Sequence, residues 1–405
     1  MVKNLETIKR DLNLSPMYNL SLSDKELFHS NFLAWLGNND DTKPFFKKVI
    51  KKLSSIDLNQ YNNWIVLRED KNFDIGIIEE KTNEKGKKYN DYILVVENKV
   101  KSIPRKDQLD EYKSKIEEYY KSNNYPTHFL LLTLASKFPD KNSISKENIW
   151  EIKTYKDLAA EMEQQNDSLQ DQYHKSLIED YIGFIENLNE LQELMINDFN
   201  NQQYYYEDEL TKYKEIRIHD LYIKLRASLF VSELEPRENI HIMPFPYLDK
   251  NNKTRNFKHS DIRHYCKTKK GVHIFLDYGI QQGNGMVAAY IYKHNYDNDY
   301  IYEIAIQGNQ YRHGINSHKE GKKDKTKKLD KLWETVYNHD KNWFDCILKQ
   351  KTLPTNGHNK YTPDYVYKYV KIDKEKVEEL LTAMKEDINN VIGKFEKNSK
   401  TVLLF

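Results

Sequence analysis

Asp74 lies in the apolar run Phe73-Asp74-Ile75-Gly76-Ile77-Ile78, and a second apolar run, Tyr92-Ile93-Leu94-Val95-Val96, ends in Glu97-Asn98-Lys99. Both runs have strand composition, separated by the polar stretch Glu79 to Asp91, which reads as a turn. Strand side chains alternate between faces, so Glu97 and Lys99 point the same way. If the hairpin sets Asp74 opposite them, two carboxylates and an ammonium converge in apolar surroundings, a conflict that a divalent cation resolves. Hard cations such as Mg²⁺ or Mn²⁺ take carboxylate and carbonyl oxygens, so Asp74, Glu97 and the backbone carbonyl of Asn98 form a candidate ligand set. The matching chemistry is metal-assisted hydrolysis of a phosphodiester, with Lys99 beside the nucleophile or the charged transition state.

Charged residues also end strands for no reason beyond solvation, so the spacing needs context. Downstream, Gln108 and Tyr112 are four apart on a helix predicted from Lys106 to about Lys121, which puts both on one helical face. Upstream, Asp24 is placed to cap a helix whose apolar positions Leu27, Phe28, Phe32, Trp35 and Leu36 follow a helical period.

With these residues in order, the stretch from about Asp24 to Trp150 resembles the PD-(D/E)XK nuclease superfamily, which shares a restriction-endonuclease-like core. The Gln108-x-x-x-Tyr112 pair is similar to the helical motif of its RecB-like branch. The segment Lys25 to Leu36 is similar to the opening helix of bacterial members, in which an acidic residue faces the metals; Glu26 takes that place. His29 and Ser30 are further candidates for the site, with helix packing or a capping network as the alternative for His29. The superfamily's proline is replaced by Asn72-Phe73 ahead of the first acid. The resemblance implies a Mg²⁺- or Mn²⁺-dependent deoxyribonuclease with Asp74, Glu97, Lys99, Glu26, Gln108 and Tyr112 in its site. It also implies a role in defence against foreign DNA or in repair, with a second copy of the chain or a defence-system component as partner. The competing expectation is a catalytically silent module that keeps the fold for nucleic-acid or protein contacts.

The elements that must position these residues follow from patterning. Strands are expected at Trp64 to Glu69, Phe73 to Ile78, Tyr92 to Glu97, His128 to Leu134 and Asn148 to Ile152, with a helix from Thr154 to Gln164. That order describes an α/β core, a mixed central sheet flanked by helices, over residues 1–165. A helical connector is expected over 166–235, from patterns at Leu169 to Met195 and Tyr204 to Leu234. An α+β domain for substrate, partner or signal recognition is expected over 236–405. Its strands are placed at Ile240 to Tyr247, Val272 to Tyr278, Met286 to Tyr292, Tyr300 to Gln307 and Asp364 to Lys371. Its helices are placed at Leu329 to Asn338 and Asp373 to about Lys397.

Hydrophobic content of 39% against 31% charged residues describes a globular chain without a membrane-length apolar run. The amino terminus has no apolar leader segment, which points to the cytoplasm. Cys266 and Cys346 stand far apart, so neither a zinc site nor a disulfide framework is indicated. A net charge of +1 supplies no global attraction to nucleic acid. Local patches must do so, and Lys253 to Lys270 mixes Arg255, Lys258 and Arg263 with Phe257, His259, His264 and Tyr265, a composition suited to phosphates and bases. A second basic stretch, His318 to Lys331, reads more simply as a solvated loop.

Overall fold

Strand β3, Lys88–Lys99, organises the amino-terminal half. Its segment Tyr92–Val96 is buried on both faces, which suits a central strand in a sheet covered on both sides. It pairs antiparallel with β2, Ile75–Thr82, and parallel with β4, His128–Thr133. Strand β1, Trp64–Arg68, runs antiparallel to β2, and β5, Trp150–Thr154, parallel to β4. The sheet order is β1-β2-β3-β4-β5.

This computed structural model describes residues 3–21, 25–100, 102–121, 127–138, 141–147, 149–205, 207–234, 241–242, 262–267, 272–281, 284–293, 300–317, 359–362, 365–372 and 374–397. Contacts divide the chain into two units, Met1–Asn197 with Tyr213–Leu225, and Asp198–Lys212 with Arg226–Phe405. Among the described residues, no helix is long and apolar enough to cross a membrane.

In the first unit, helices α1 (Leu5–Leu14), α2 (Pro16–Ser21), α3 (Lys25–Asn38) and α4 (Lys43–Ser54) precede the sheet. Helix α5, Lys106–Tyr120, links β3 to β4, and α6, Lys141–Glu147, links β4 to β5. Helices α7, Tyr155–Gln165, and α8, Gln172–Ile196, follow. One core layer joins Ile75, Val96, Leu130 and Leu132 of the sheet to Leu33, Phe46 and Leu158 of α3, α4 and α7. On the other face α5 buries Leu109, Tyr112 and Ile116.

Three details depart from the sequence reading. The polar stretch Glu79 to Asp91 is mostly strand: β2 and β3 continue as an arm to Thr82↔Lys88, beyond a register shift at Ile77/Ile78. Polar side chains are compatible with such an arm because both its faces meet solvent, and Lys81 bridges Asp91 across it. The helix expected from Tyr204 to Leu234 is two, α9 (Glu207–Glu215) and α10 (His219–Leu234), broken where Arg217 has φ +52°. Strand β2 starts at Ile75, which leaves Asp74 just outside the ladder.

The second unit is built on an antiparallel sheet of eight strands. They are β6 (His241–Ile242), β7 (Ile262–Lys267), β8 (Val272–Gln281), β9 (Asn284–Lys293), β10 (Tyr300–Gln307), β11 (Gln310–Ser317), β12 (Asn359–Thr362) and β13 (Tyr365–Lys371), in the order β12-β13-β11-β10-β9-β8-β7-β6. The helix Val377–Lys397 packs on β8, β9 and β10. Strand β11 was not anticipated from sequence. It is reached through a two-residue turn at Gly308-Asn309, where Gly308 takes φ +55°. The expected helix Leu329 to Asn338 and the stretch His318 to Lys331 lie outside the described residues.

Candidate active site

The β2–β3 register decides the site. Ile75 pairs with Val96, so Asp74, one residue before, lies across from Glu97, one residue after. The backbone N–H of Asn98 donates to Asp74 Oδ2 at 2.8 Å, tying the carboxylate to the end of β3. Glu97 and Lys99 share a face and meet at 2.5 Å between Lys99 Nζ and Glu97 Oε1. Both are buried, Glu97 at 1% exposure and Lys99 at 7%.

Helix α5 supplies the next layer. Gln108 Nε2 donates to Glu97 Oε1 at 2.9 Å and to the Tyr112 hydroxyl at 2.9 Å, and that hydroxyl reaches Glu97 Oε1 at 3.5 Å. The i, i+4 spacing therefore places both side chains on one carboxylate oxygen. Phe73, fully buried, sets its ring edge-on to Tyr112 and Tyr92 at centroid distances of 5.4 and 5.8 Å, holding the segment that carries Asp74 against α5.

Electrostatics at Glu97 are unusual. Burial pushes its carboxyl up to about 8 from an ordinary 4.5, Asp74's charge pushes the same way, and the Lys99 ammonium opposes both. Burial and the neighbouring Glu97 also raise Tyr112, which keeps its hydroxyl a neutral donor. Glu97 Oε2 is buried and has no hydrogen-bond partner among the described residues. A buried carboxylate oxygen left open beside a second carboxylate is stabilised by a cation. Among the described residues no group of three or more His, Cys, Asp or Glu converges. The described acids at this sheet end are the carboxylates of Asp74 and Glu97, hard oxygen donors of the kind that Mg²⁺ accepts.

The other residues marked from sequence divide clearly. Ser30 Oγ accepts from Asn98 Nδ2 at 2.7 Å, so α3 is latched to the strand carrying the acids, and Asn98 is fully buried. His29 belongs to packing: its Nδ1 meets the Tyr181 hydroxyl at 2.9 Å, its ring stacks on Phe184, and burial pushes its pKa down to about 3. Glu26 lies in the first turn of α3, and its side chain falls outside the described residues. Arg255 and Lys258 also fall outside them, and Arg263 is placed only by its backbone, in β7. Sequence reading passed over Arg68, the last residue of β1, which pairs with Ile75 at the same sheet end as Asp74. Its one sequence signal is a charge closing an otherwise apolar strand, Trp64-Ile65-Val66-Leu67-Arg68.

With this geometry in place, residues 17–197 match the family model described as the PD-(D/E)XK nuclease superfamily. These residues belong to the PD-(D/E)XK nuclease superfamily. No curated protein and no solved structure matched the chain. The mixed five-stranded sheet with flanking helices is consistent with the restriction-endonuclease-like fold of that superfamily, whose members are generally nucleases and typically use divalent metals. In this nuclease-superfamily domain the acid and the acid-x-lysine stand at the ends of two adjacent strands, β2 and β3.

Proposed function

We propose that this chain is a divalent-metal-dependent nuclease that hydrolyses phosphodiester bonds of DNA. The observation that carries the reading is the open, buried Oε2 of Glu97 facing Asp74, with Lys99 in the same group. Asp74, Glu97 and the Asn98 carbonyl would hold Mg²⁺ or Mn²⁺, which when bound lowers the pKa of water and offsets charge on phosphate. The protein's own groups do the rest. Gln108 and Tyr112 fix the rotamer of Glu97 through Oε1 and leave Oε2 directed to the site. The Lys99 ammonium presents a positive charge where the phosphate gains negative charge. Glu26, on the helix latched by Ser30, is the candidate for a further acid.

DNA rather than RNA, and a place in defence or repair inside the cytoplasm, rest on the superfamily likeness. The second unit is proposed to recognise substrate, partner or signal, with Arg255, Lys258 and Arg263 contacting phosphates. A second copy of the chain or another defence protein is the expected partner class. The test is incubation of the full chain with labelled single- and double-stranded DNA and RNA in Mg²⁺, Mn²⁺ or EDTA. Metal-dependent cleavage of DNA that stops in EDTA is the expected result. Binding without cleavage under every metal condition would leave a silent nucleic-acid module instead.

A further inference from the structure

Arg68 differs from Arg105, Arg226 and Arg312, each of which donates a side-chain hydrogen bond. Arg105 is held by Asp107, Arg226 by Gln202 and the Gln203 carbonyl, and Arg312 by Gln307 and Gln310. The Arg68 Nε and Nη2 are buried and make no hydrogen bond among the described residues. Its charge contact among the described residues is Glu69 at 3.9 Å, an acid whose side chain is 68% exposed and which lies at the outer limit of ion pairing. Buried N–H donors without acceptors are costly, and a guanidinium carries five donors in a fixed fork. An incoming anion with two oxygens in one plane matches that fork.

Its position says which anion. Arg68 pairs with Ile75, and Ile75 with Val96, so the three share a face of the sheet and lie about 5 Å apart from strand to strand. Glu97 and Lys99 point to the opposite face from the same sheet end. Arg68 is thus beside the candidate site but cannot share the phosphate that faces Glu97.

The connection between the two is stiff. After Arg68 the chain passes through Glu69, Lys71 and Asn72, all non-glycine residues at positive φ of 54°, 54° and 66°, and arrives at Asp74. Asp70 accepts from the Tyr92 hydroxyl, and Lys71 Nζ sits 4.6 Å from the centre of the Tyr119 ring. A short turn in a sparsely populated backbone conformation, anchored at two points, fixes Arg68 at one end and Asp74 at the other.

We infer that Arg68 is a substrate-binding residue that grips a backbone phosphate flanking the one hydrolysed, as a nucleic-acid strand crosses the end of the sheet. The inference rests on the nuclease reading of Asp74, Glu97 and Lys99. It assigns to Arg68 a positioning contact that carries no base specificity.

The test compares wild type, Arg68→Gln and Arg68→Lys for anisotropy-detected binding of a fluorescein-labelled DNA duplex and its single strand, with Ca²⁺ in place of Mg²⁺, across a salt series. Arg68→Gln is expected to weaken binding about tenfold or more and to lower the log–log salt slope by about one. Arg68→Lys should keep the slope but recover only part of the affinity, because a point charge lacks the bidentate fork. Folded Arg68→Gln protein with wild-type affinity and slope would overturn the inference, as would a lowered melting temperature with unchanged affinity. If Arg68→Gln does not fold, Arg68→Lys decides, severalfold weaker binding supporting the contact and wild-type binding removing it. Wild-type protein that cleaves in Mg²⁺ while Arg68→Gln binds normally would sink the Arg68 contact alone. Wild-type protein that neither binds nor cleaves would sink both readings.

Discussion

The two units bury polar groups in opposite ways. In the second, the Tyr302 hydroxyl meets His313 Nδ1 at 2.9 Å, His313 Nε2 meets Asp387 Oδ2 at 3.1 Å, and the Tyr311 hydroxyl donates to the same oxygen at 2.7 Å. All four residues are at most 2% exposed, and the chain of bonds ties the helix Val377–Lys397 to β10 and β11. In the first unit, Asp74, Glu97 and Lys99 lie at the end of a sheet, and one Glu97 oxygen has no donor among the described residues. A network whose members satisfy one another holds secondary structure together and has nothing left to offer a ligand. A network left open at a strand end keeps an electrostatic demand that only an incoming cation or proton can meet.

The largest expected effect tests the open side. Asp74→Ala or Glu97→Ala should cut single-turnover cleavage about a thousandfold, roughly 4 kcal/mol of transition-state stabilisation, while circular dichroism stays that of the wild type. A variant that keeps more than about a tenth of the rate would break the contrast by showing that the open carboxylate is not used.

The closed side should respond in stability instead. Asp387→Ala strands His313 and Tyr311 in the core, and denaturant titration should show a loss of about 3 kcal/mol in the second unit. Cleavage per folded molecule should stay within about twofold of wild type. Lost cleavage with full stability would mean that this cluster, too, takes part in function.

The smallest effect sharpens the comparison through pH. Glu97 titrates at about 8 in the fold and near 4.5 when unfolded, so between those values the native state holds a proton that the unfolded chain has released. Its contribution to stability is therefore complete below about pH 4.5 and is lost as pH rises through 8. Metal-free protein should lose about 2 kcal/mol between pH 5.5 and 7 from this group, at about 1.4 kcal/mol per pH unit. Glu97→Gln should remove that slope, which urea titration at four pH values would reveal; an unaltered slope would place the titration elsewhere.

Much of the site was legible because it depends on short spacings. Two residues along a strand put Glu97 and Lys99 on one face, and four along a helix put Gln108 and Tyr112 on one carboxylate. Apolar runs such as Tyr92–Val96 and His128–Leu134 located the central strands because a strand covered on both faces needs no polar alternation. The β2–β3 arm escaped because an exposed ladder tolerates polar residues that also form turns, and β11 escaped because its buried positions include a histidine and a glycine, His313 and Gly314, which carry no apolar signal. Arg68 escaped because a single charge at a strand end has no periodicity.

His29 shows where local pattern stops. Its place on α3 beside Ser30 suited the site equally well, and the packing of Tyr181 and Phe184 from α8 made it a neutral core residue.

Sequence by itself determined the types of group available for chemistry, their order along the chain and the faces they occupy within one element, since bond geometry sets those periods. The register of β2 on β3, the closure of α5 over Glu97 and the burial that lifts its pKa to about 8 were decided only in three dimensions. Each depends on residues distant in sequence coming together to exclude water, and the strength of a charge is set by that exclusion.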